Sequence, residues 1–285
     1  MDWTRITRFL SLIDFQHTIF GLPFAYLGAF LALPGFPGWF KIFWITVAMV
    51  GARTAALCMN RAIDIHIDRK NPRTAHWPLP SGEFSLRLTW GVAIVSLALL
   101  VVAAWQLNPL CLKLAPLAIL ALWGYSYTKR FTWWCHLCLG LAIGIGPTAG
   151  WIAVTGEFTW QPVLLTLAVA FWIAGFDTMY ACQDIEFDCR EGLYSIPGRF
   201  GARGALIFAR GFHFLTLACF VGTGLILGLG WLYYLGVAFA GTILIYEHSL
   251  VSAENLDLVN FAAFKVNRYV SSTVFVMTLL DIFLF

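Results

Sequence analysis

The chain has 285 residues, of which 60% are hydrophobic and 12% charged, and its mean hydropathy is +0.78. Ordinary soluble domains carry about 25% charged residues, so that class is excluded, and a net charge of only +3 without a basic soluble face speaks against nucleic acid as a partner. At roughly 20 apolar residues per crossing, residues 1–285 read as one all-α polytopic membrane domain of about nine transmembrane helices.

In chain order, residues 1–18 carry Trp3, Ile6, Phe9, Leu10 and Ile13 at helical spacing opposite Arg5 and Arg8. That is the pattern of an interfacial amphipathic helix, and with no small-residue cleavage site it does not read as a signal peptide. Apolar runs follow at about 19–34, 40–63, 86–107, 110–127, 135–155, 161–183, 205–228, 230–250 and 264–285, separated by Pro, Gly or charge. Of the 18 Lys and Arg residues, 15 fall in loops on one side, Lys41 and Lys113 fall on the other, and Arg53 lies within a run. This positive-inside bias puts the amino terminus and the charged loops in the cytoplasm, and the carboxyl terminus outside a cytoplasmic (inner) membrane.

The seven cysteines read as small buried hydrophobes with no disulfide framework. Cys135, His136 and Cys138 have a metal-like spacing, but no second pair accompanies them, and a structural zinc site needs four ligands.

Because charge is scarce, its clusters are informative. The second apolar run ends in Asn60, Asp64 and Asp68, at i, i+4 and i+8, so a continuing helix stacks all three on one face. The sixth run ends in Asp177, Asp184, Asp188 and Glu191, also on one face. Four crossings separate the two runs, which makes them parallel and brings both clusters to the cytoplasmic side. Either the acids are solvated and balance Arg61, Arg69 and Arg190, or they are hard oxygen ligands that share magnesium with a diphosphate. Repetition of the pattern on two parallel helices favours the second reading, with the basic loop residues against phosphate oxygens. Tyr125 and Lys129, at i and i+4, either anchor the helix at the interface or hold phosphate. Arg53, about two turns before Asn60, calls for an anionic partner inside the membrane, either an internal acid or a substrate carboxylate.

At these residues the chain resembles the UbiA family of intramembrane aromatic prenyltransferases. Asn60, Arg61, Asp64 and Asp68 match the family's NRxxDxxxD, and Asn71, Pro72, Arg73 and Thr74 its following Arg-Thr segment. Tyr125 to Lys129 is similar to YxxxK, and Tyr180 to Asp188 to the second aspartate motif. The stretches 17–25, 136–156 and 183–201 are similar to a bacterial branch described as 4-hydroxybenzoate polyprenyltransferases, which also holds enzymes assigned to the futalosine route to menaquinone. One departure is Trp77, which stands before Pro78 and Leu79 where the family commonly has arginine.

The resemblance implies a helical bundle around a central cavity open to the cytoplasm. It also implies Mg2+-dependent transfer of a polyprenyl chain from polyprenyl diphosphate to a ring carbon of an aromatic acid, 4-hydroxybenzoate or a dihydroxynaphthoate, in ubiquinone or menaquinone biosynthesis. It makes Asp64, Asp68, Asp184 and Asp188 the catalytic acids and, with Asn60, the metal ligands. Asn60, Arg61, Arg73, Tyr125, Lys129 and Arg130 would bind the diphosphate. Arg53 would take the acceptor's carboxylate and Asp184 its hydroxyl. The alternatives are a haem, chlorophyllide or lipid-type acceptor within the same superfamily, or a secondary transporter. Transporter sites gather at the midplane between inverted repeats, whereas these acids cluster at one face.

Overall fold

The computed structural model describes residue 8 and residues 15–33 and 35–285. The amphipathic helix expected over 1–18 therefore lies outside the described residues, apart from Arg8, which is paired with Glu83 (Nη2 to Oε2 2.6 Å), and from the start of the first helix. Twelve α-helices follow among the described residues: α1 (Phe15–Leu31), α2 (Trp39–Ile63), α3 (Ile65–Lys70), α4 (Leu86–Leu107), α5 (Pro109–Thr128), α6 (Cys135–Gly144), α7 (Gly146–Thr155), α8 (Gln161–Tyr180), α9 (Ile185–Glu191), α10 (Ile196–Leu227), α11 (Trp231–Ser249) and α12 (Asn267–Leu284).

Local chemistry sets the helix starts. Ser85, Asn108 and Ser195 each accept a backbone N–H of the first turn of α4, α5 and α10, relieving donors that have no partner within the helix. Pro109, Pro147, Pro162 and Pro197 occupy first turns, where a missing N–H costs nothing. The run expected at 135–155 is split at Ile145 into α6 and α7, with Pro147 just inside the second helix.

Among the described residues, six helical segments are long and apolar enough to cross a membrane: α2, α4, α5, α6 with α7, α8 through α9, and α10. The expected count was about nine. The other three runs form α1, whose apolar part Gly21–Leu31 is shorter, and α11 and α12. The helices pack mainly as the pairs α8 with α10, α2 with α4, α6 with α8, α11 with α12, and α1 with α7. At the last pair a Cβ on Gly28 would collide with the Pro147 carbonyl, and one on Gly150 with that of Ala25. Glycine permits this backbone approach, the usual means of tight packing where lipid removes a hydrophobic drive between helices.

The core gathers Phe24, Leu27, Trp172, Phe220, Tyr233, Val237 and Val270. Tyr233 is buried with its hydroxyl donating to the Phe220 carbonyl at 2.7 Å. Outward positions such as Trp105, Leu117, Phe214, Leu225 and Ile245 are exposed and apolar, as expected of a sheath solvated by acyl chains. The protein is an integral membrane protein.

Two helix breaks position the polar residues. α2 stops at Ile63 and the chain bends at Asp64 before α3. α8 tightens into a 3₁₀ turn, Ala181–Asp184, before α9. Neither acidic cluster therefore lies on one uninterrupted helix, as the spacing had suggested. The breaks bend both chain ends over a common opening.

Candidate active site

α2, α5, α6 and α8 and the segments after α2 and α8 enclose a cavity of about 600 Å³. Arg53, Asn60, Arg61, Asp64, Asp68, Arg73, Tyr125, Lys129, Asp184 and Asp188 all line it. Arg130 stands apart from the cavity-lining set and reaches Asp64 from behind, and Glu191 also lies off the cavity, paired with Lys70 at 2.7 Å.

On one wall, Asp64 is buried, 1% exposed, and held on three sides. Lys129 Nζ lies 2.7 Å from Oδ2, Arg130 Nη2 2.9 Å from Oδ1, and Asn60 Nδ2 donates to Oδ2 at 3.1 Å. Arg130 also donates to the Ile63 and Ser126 carbonyls, tying the end of α2 to α5. Four residues on, Asp68 is buried with Thr74 Oγ1 donating to its backbone carbonyl at 2.9 Å. Burial pushes the Asp68 carboxyl up to about 6, against the pull of Lys129.

On the facing wall, Arg73 grips Asp184 with two nitrogens, Nε to Oδ1 at 2.9 Å and Nη2 to Oδ2 at 2.5 Å, and donates through Nη1 to the Tyr180 hydroxyl at 2.6 Å. Asn71 Nδ2 adds a bond to Asp184 Oδ1 at 2.8 Å. Trp77 packs against two guanidiniums, with Arg61 4.6 Å and Arg73 5.5 Å from its ring centre. Asp188 accepts from Ser195 Oγ at 2.7 Å, and the same hydroxyl caps α10.

Deeper in, the cavity turns apolar. Arg53, Ile143, Ile173, Phe176 and Phe264 border both this space and a smaller pocket of about 60 Å³ beyond it, lined by Phe24 and Trp172. Arg53 lies eleven residues before Asp64, about 16 Å along a helix that rises 1.5 Å per residue. One cation thus stands at the apolar end, and a field of acids and bases at the other.

Sequence reasoning gave Ser195 no role and Asn71 none beyond its place in the Arg-Thr segment. Asn71 sits two residues before Arg73, in the loop that α3 turns back across the opening, and no periodicity marks it. His136 was weighed as a metal ligand and instead pairs with Asp177, Nδ1 to Oδ2 at 2.8 Å. Cys135 donates to the Tyr194 carbonyl at 3.3 Å.

Among the described residues no three His, Cys, Asp or Glu side chains come together tightly enough to hold an ion by themselves. The oxygen donors stand instead as Asn60, Asp64 and Asp68 on one wall and Asp184 and Asp188 on the other. That arrangement suits magnesium, which takes one or two carboxylates and completes its shell with phosphate oxygens and water.

Residues 21–269 match the model of the UbiA prenyltransferase family. The chain belongs to the UbiA prenyltransferase family. It is 30% identical over 244 residues to the 4-hydroxybenzoate octaprenyltransferase of Vibrio parahaemolyticus, covering 86% of this chain and 85% of the relative. It is 31% identical over 252 residues to the enzyme of the same name from Paraburkholderia phytofirmans, covering 86% and 85%. Among solved structures, the apo form of a UbiA homologue from Aeropyrum pernix superposes with a TM-score of 0.85 at 33% identity, covering 93% of this chain and 98% of that one. A UbiA homologue from Archaeoglobus fulgidus, solved with GPP and Mg2+, shares the fold with a TM-score of 0.66 at 20% identity, covering 94% and 99%. The protein is a UbiA-family prenyltransferase.

Proposed function

We propose that this single-domain enzyme transfers a polyprenyl chain from polyprenyl diphosphate to a ring carbon of an aromatic acid, 4-hydroxybenzoate or a dihydroxynaphthoate, in quinone biosynthesis. The observation that carries this reading is the polarity of the cavity: Arg53 lines its apolar depth, about three helical turns from the acids and bases at its mouth. An amphiphilic aromatic acid needs one buried cation and apolar walls, while a diphosphate needs several cations and oxygen ligands. The names of the relatives support 4-hydroxybenzoate. The Archaeoglobus homologue bound to GPP and Mg2+ supports a prenyl diphosphate donor and a divalent metal.

Asn60, Asp64 and Asp68, with Asp184 and Asp188, would hold Mg2+. Bound there, the metal supplies positive charge to the leaving diphosphate. The chain's own residues do the rest. Lys129 and Arg73 occupy those acids in the present arrangement and lie where they can turn to phosphate oxygens as the acids take metal. Arg61 faces the same space from beneath Trp77. Tyr125, whose hydroxyl donates to the Ala56 carbonyl at 3.4 Å, forms the wall between mouth and depth. Fixed cations that face the departing charge lower the barrier to ionisation of the allylic carbon. The apolar walls exclude water, which would otherwise capture the allylic cation. Arg53 orients the acceptor by its carboxylate so that the ring faces that carbon.

The Lys and Arg bias supports an inner-membrane protein whose mouth opens to the cytoplasm. The test incubates purified protein in detergent with a prenyl diphosphate, Mg2+ and either acid, and identifies the product by mass. Prenylated acid with diphosphate released in equal amount is the expected result. No product from either acid would overturn the acceptor assignment.

A further inference from the structure

A prenyl chain that leaves its diphosphate does so as an allylic cation, and an aromatic ring attracts such a charge through its quadrupole where water is excluded. One phenyl ring is placed for this by an unusual piece of backbone. Ahead of α12 the chain forms a π-helical turn, Phe261–Val266, a rare wide turn that occurs frequently at functional sites. It is pinned at both ends, to α8 and to the turn after α8. At its start Asn260 and Gln183 exchange side-chain amide bonds, Nδ2 to Oε1 at 3.0 Å and Nε2 to Oδ1 at 3.5 Å. At its end Asn267 accepts from Trp172 Nε1 at 2.7 Å, and its Nδ2 donates to Glu247 Oε1 at 2.6 Å and to the Ala263 carbonyl at 3.3 Å. Gln183 stands beside Asp184 at the mouth and Trp172 lines the deep pocket, so the turn spans the interval between them. Within it Phe264 forms part of the wall of both the main cavity and the deep pocket. Its ring lies 4.8 Å from that of Tyr180, at 71° to it, about one turn below Asp184.

We propose that Phe264 is the ring that stabilises the allylic cation. This rests on the donor reading above, in which the acids and bases at the mouth hold the diphosphate, and it does not depend on which acid is the acceptor. The carbon that ionises is bonded to a diphosphate oxygen, so it lies just below those residues, at the level of Tyr180 and Phe264. Tyr180 already serves a fixed cation: Arg73 lies 4.9 Å over its ring and donates to its hydroxyl, which commits it to the diphosphate end. Phe176 also borders both spaces, but it sits about a turn deeper and packs edge-on against Trp172 at 5.4 Å. In the step, the C1–O bond of the prenyl diphosphate breaks with its electron pair on diphosphate and leaves a cation shared between C1 and C3. Phe264 forms no bond to it and is unchanged. Its ring lowers the energy of the charge until an electron pair from the acceptor's ring carbon makes the new bond to C1, and that ring carbon then loses its proton to the released diphosphate. Phe264 is thus a catalytic residue whose contribution is electrostatic, and a saturated side chain of the same bulk does not supply it.

The experiment replaces Phe264 in the full chain by mono-, di- and trifluorophenylalanine, which withdraw charge from the ring face with little change of bulk, and by cyclohexylalanine, which keeps the bulk and has no π-system. Release of diphosphate from geranyl diphosphate with Mg2+ is followed in detergent in a single turnover, which separates chemistry from product release, with either acid and with none. Binding of unreactive geranyl thiodiphosphate is measured on each variant. The rate should fall stepwise with each fluorine, to a loss of about tenfold to thirtyfold for Phe264→trifluorophenylalanine, the range of a desolvated contact between a cation and a ring. Phe264→cyclohexylalanine should match it, and thiodiphosphate binding should change less than threefold throughout. A trifluoro variant within twofold of wild type, or a loss matched by loss of thiodiphosphate binding, overturns the inference and leaves the donor reading standing. If wild type releases no diphosphate from geranyl diphosphate under any of these conditions, the donor reading falls and the inference falls with it.

Discussion

Arg73 holds Asp184 through both carboxylate oxygens, at 2.9 and 2.5 Å, and so ties the loop after α3 to the turn after α8 across the cavity mouth. The pair joins residues 111 apart in sequence, and a fork-to-fork contact of this kind fixes direction as well as distance. In the proposed cycle Asp184 passes to metal and Arg73 to phosphate, so the planar fork matters and charge alone does not suffice.

The substitution Arg73→Lys keeps the charge and loses the fork. We expect kcat/KM for prenyl diphosphate to fall at least tenfold, with KM for the aromatic acid changed less than threefold. Steady-state transfer with each substrate varied in turn is the check, and an unaffected donor kcat/KM would remove Arg73 from the diphosphate site.

Asp64 presents a different balance, since it is buried and neutralised by two bases. Asp64→Asn leaves Lys129 and Arg130 facing each other without their counter-charge. Loss of one partner of a buried pair costs about 3–5 kcal/mol, and less where the cations keep some solvent, as these do at 29% and 32% exposure. The expected outcome is a measurable drop in thermal midpoint in detergent together with loss of transfer by more than a hundredfold. Lys129→Met, which leaves Arg130 on Asp64, should spare the midpoint and still weaken donor binding. Equal midpoints for wild type and Asp64→Asn would show that the cluster contributes nothing to the fold.

Trp77 fills the place of an arginine common in the family by offering its ring to two other arginines. Each cation–π contact is worth about 0.5–2 kcal/mol depending on how far water is excluded. Trp77→Ala should therefore raise KM for the donor roughly threefold to thirtyfold, by releasing Arg61 and Arg73 from their fixed positions. Trp77→Arg adds a third cation beside those two, and its repulsion should keep it from exceeding wild type. A Trp77→Arg variant with a clearly tighter donor KM would mean that the ring is a loss the chain tolerates.

Much of this was legible in the sequence because lipid makes charge expensive and therefore meaningful. Asn60, Asp64, Asp68, Asp184 and Asp188 announced themselves by four-residue spacing, and the apolar runs located most of the helices to within a few residues, although α10 begins at Ile196, well before its run at 205–228. The breaks at Asp64 and at Ala181–Asp184 did not, because both segments keep helical spacing and only tertiary contacts decide where backbone pairing changes. The partners of Asn71 and His136 were equally hidden. Each of these two acts on a residue far away in sequence, Asp184 at 113 positions and Asp177 at 41, and no local pattern encodes such a partner. Arg130, which follows the YxxxK stretch and is expected at the diphosphate, donates in this structure to Asp64 and to two backbone carbonyls.

Arg53 gives the sharpest test of how the cavity divides its two substrates. It borders both the main cavity and the apolar pocket beyond, among Ile143, Ile173, Phe176 and Phe264, where water competes poorly for a carboxylate. A hydrogen bond to a charged group contributes about 1.5–3 kcal/mol, which corresponds to a factor of ten to a hundred or more in kcat/KM. Arg53→Ala should lose that factor for the aromatic acid while kcat/KM for the prenyl diphosphate, measured at saturating acceptor, moves less than threefold. The methyl ester of the acid sharpens the comparison, since it removes the charge from the substrate instead. Wild type should prefer the acid to its ester by the same factor, and Arg53→Ala should scarcely distinguish them. If acid and ester differ equally in both proteins, the carboxylate is read elsewhere, and a matched loss for both substrates would place Arg53 in the support of the whole cavity.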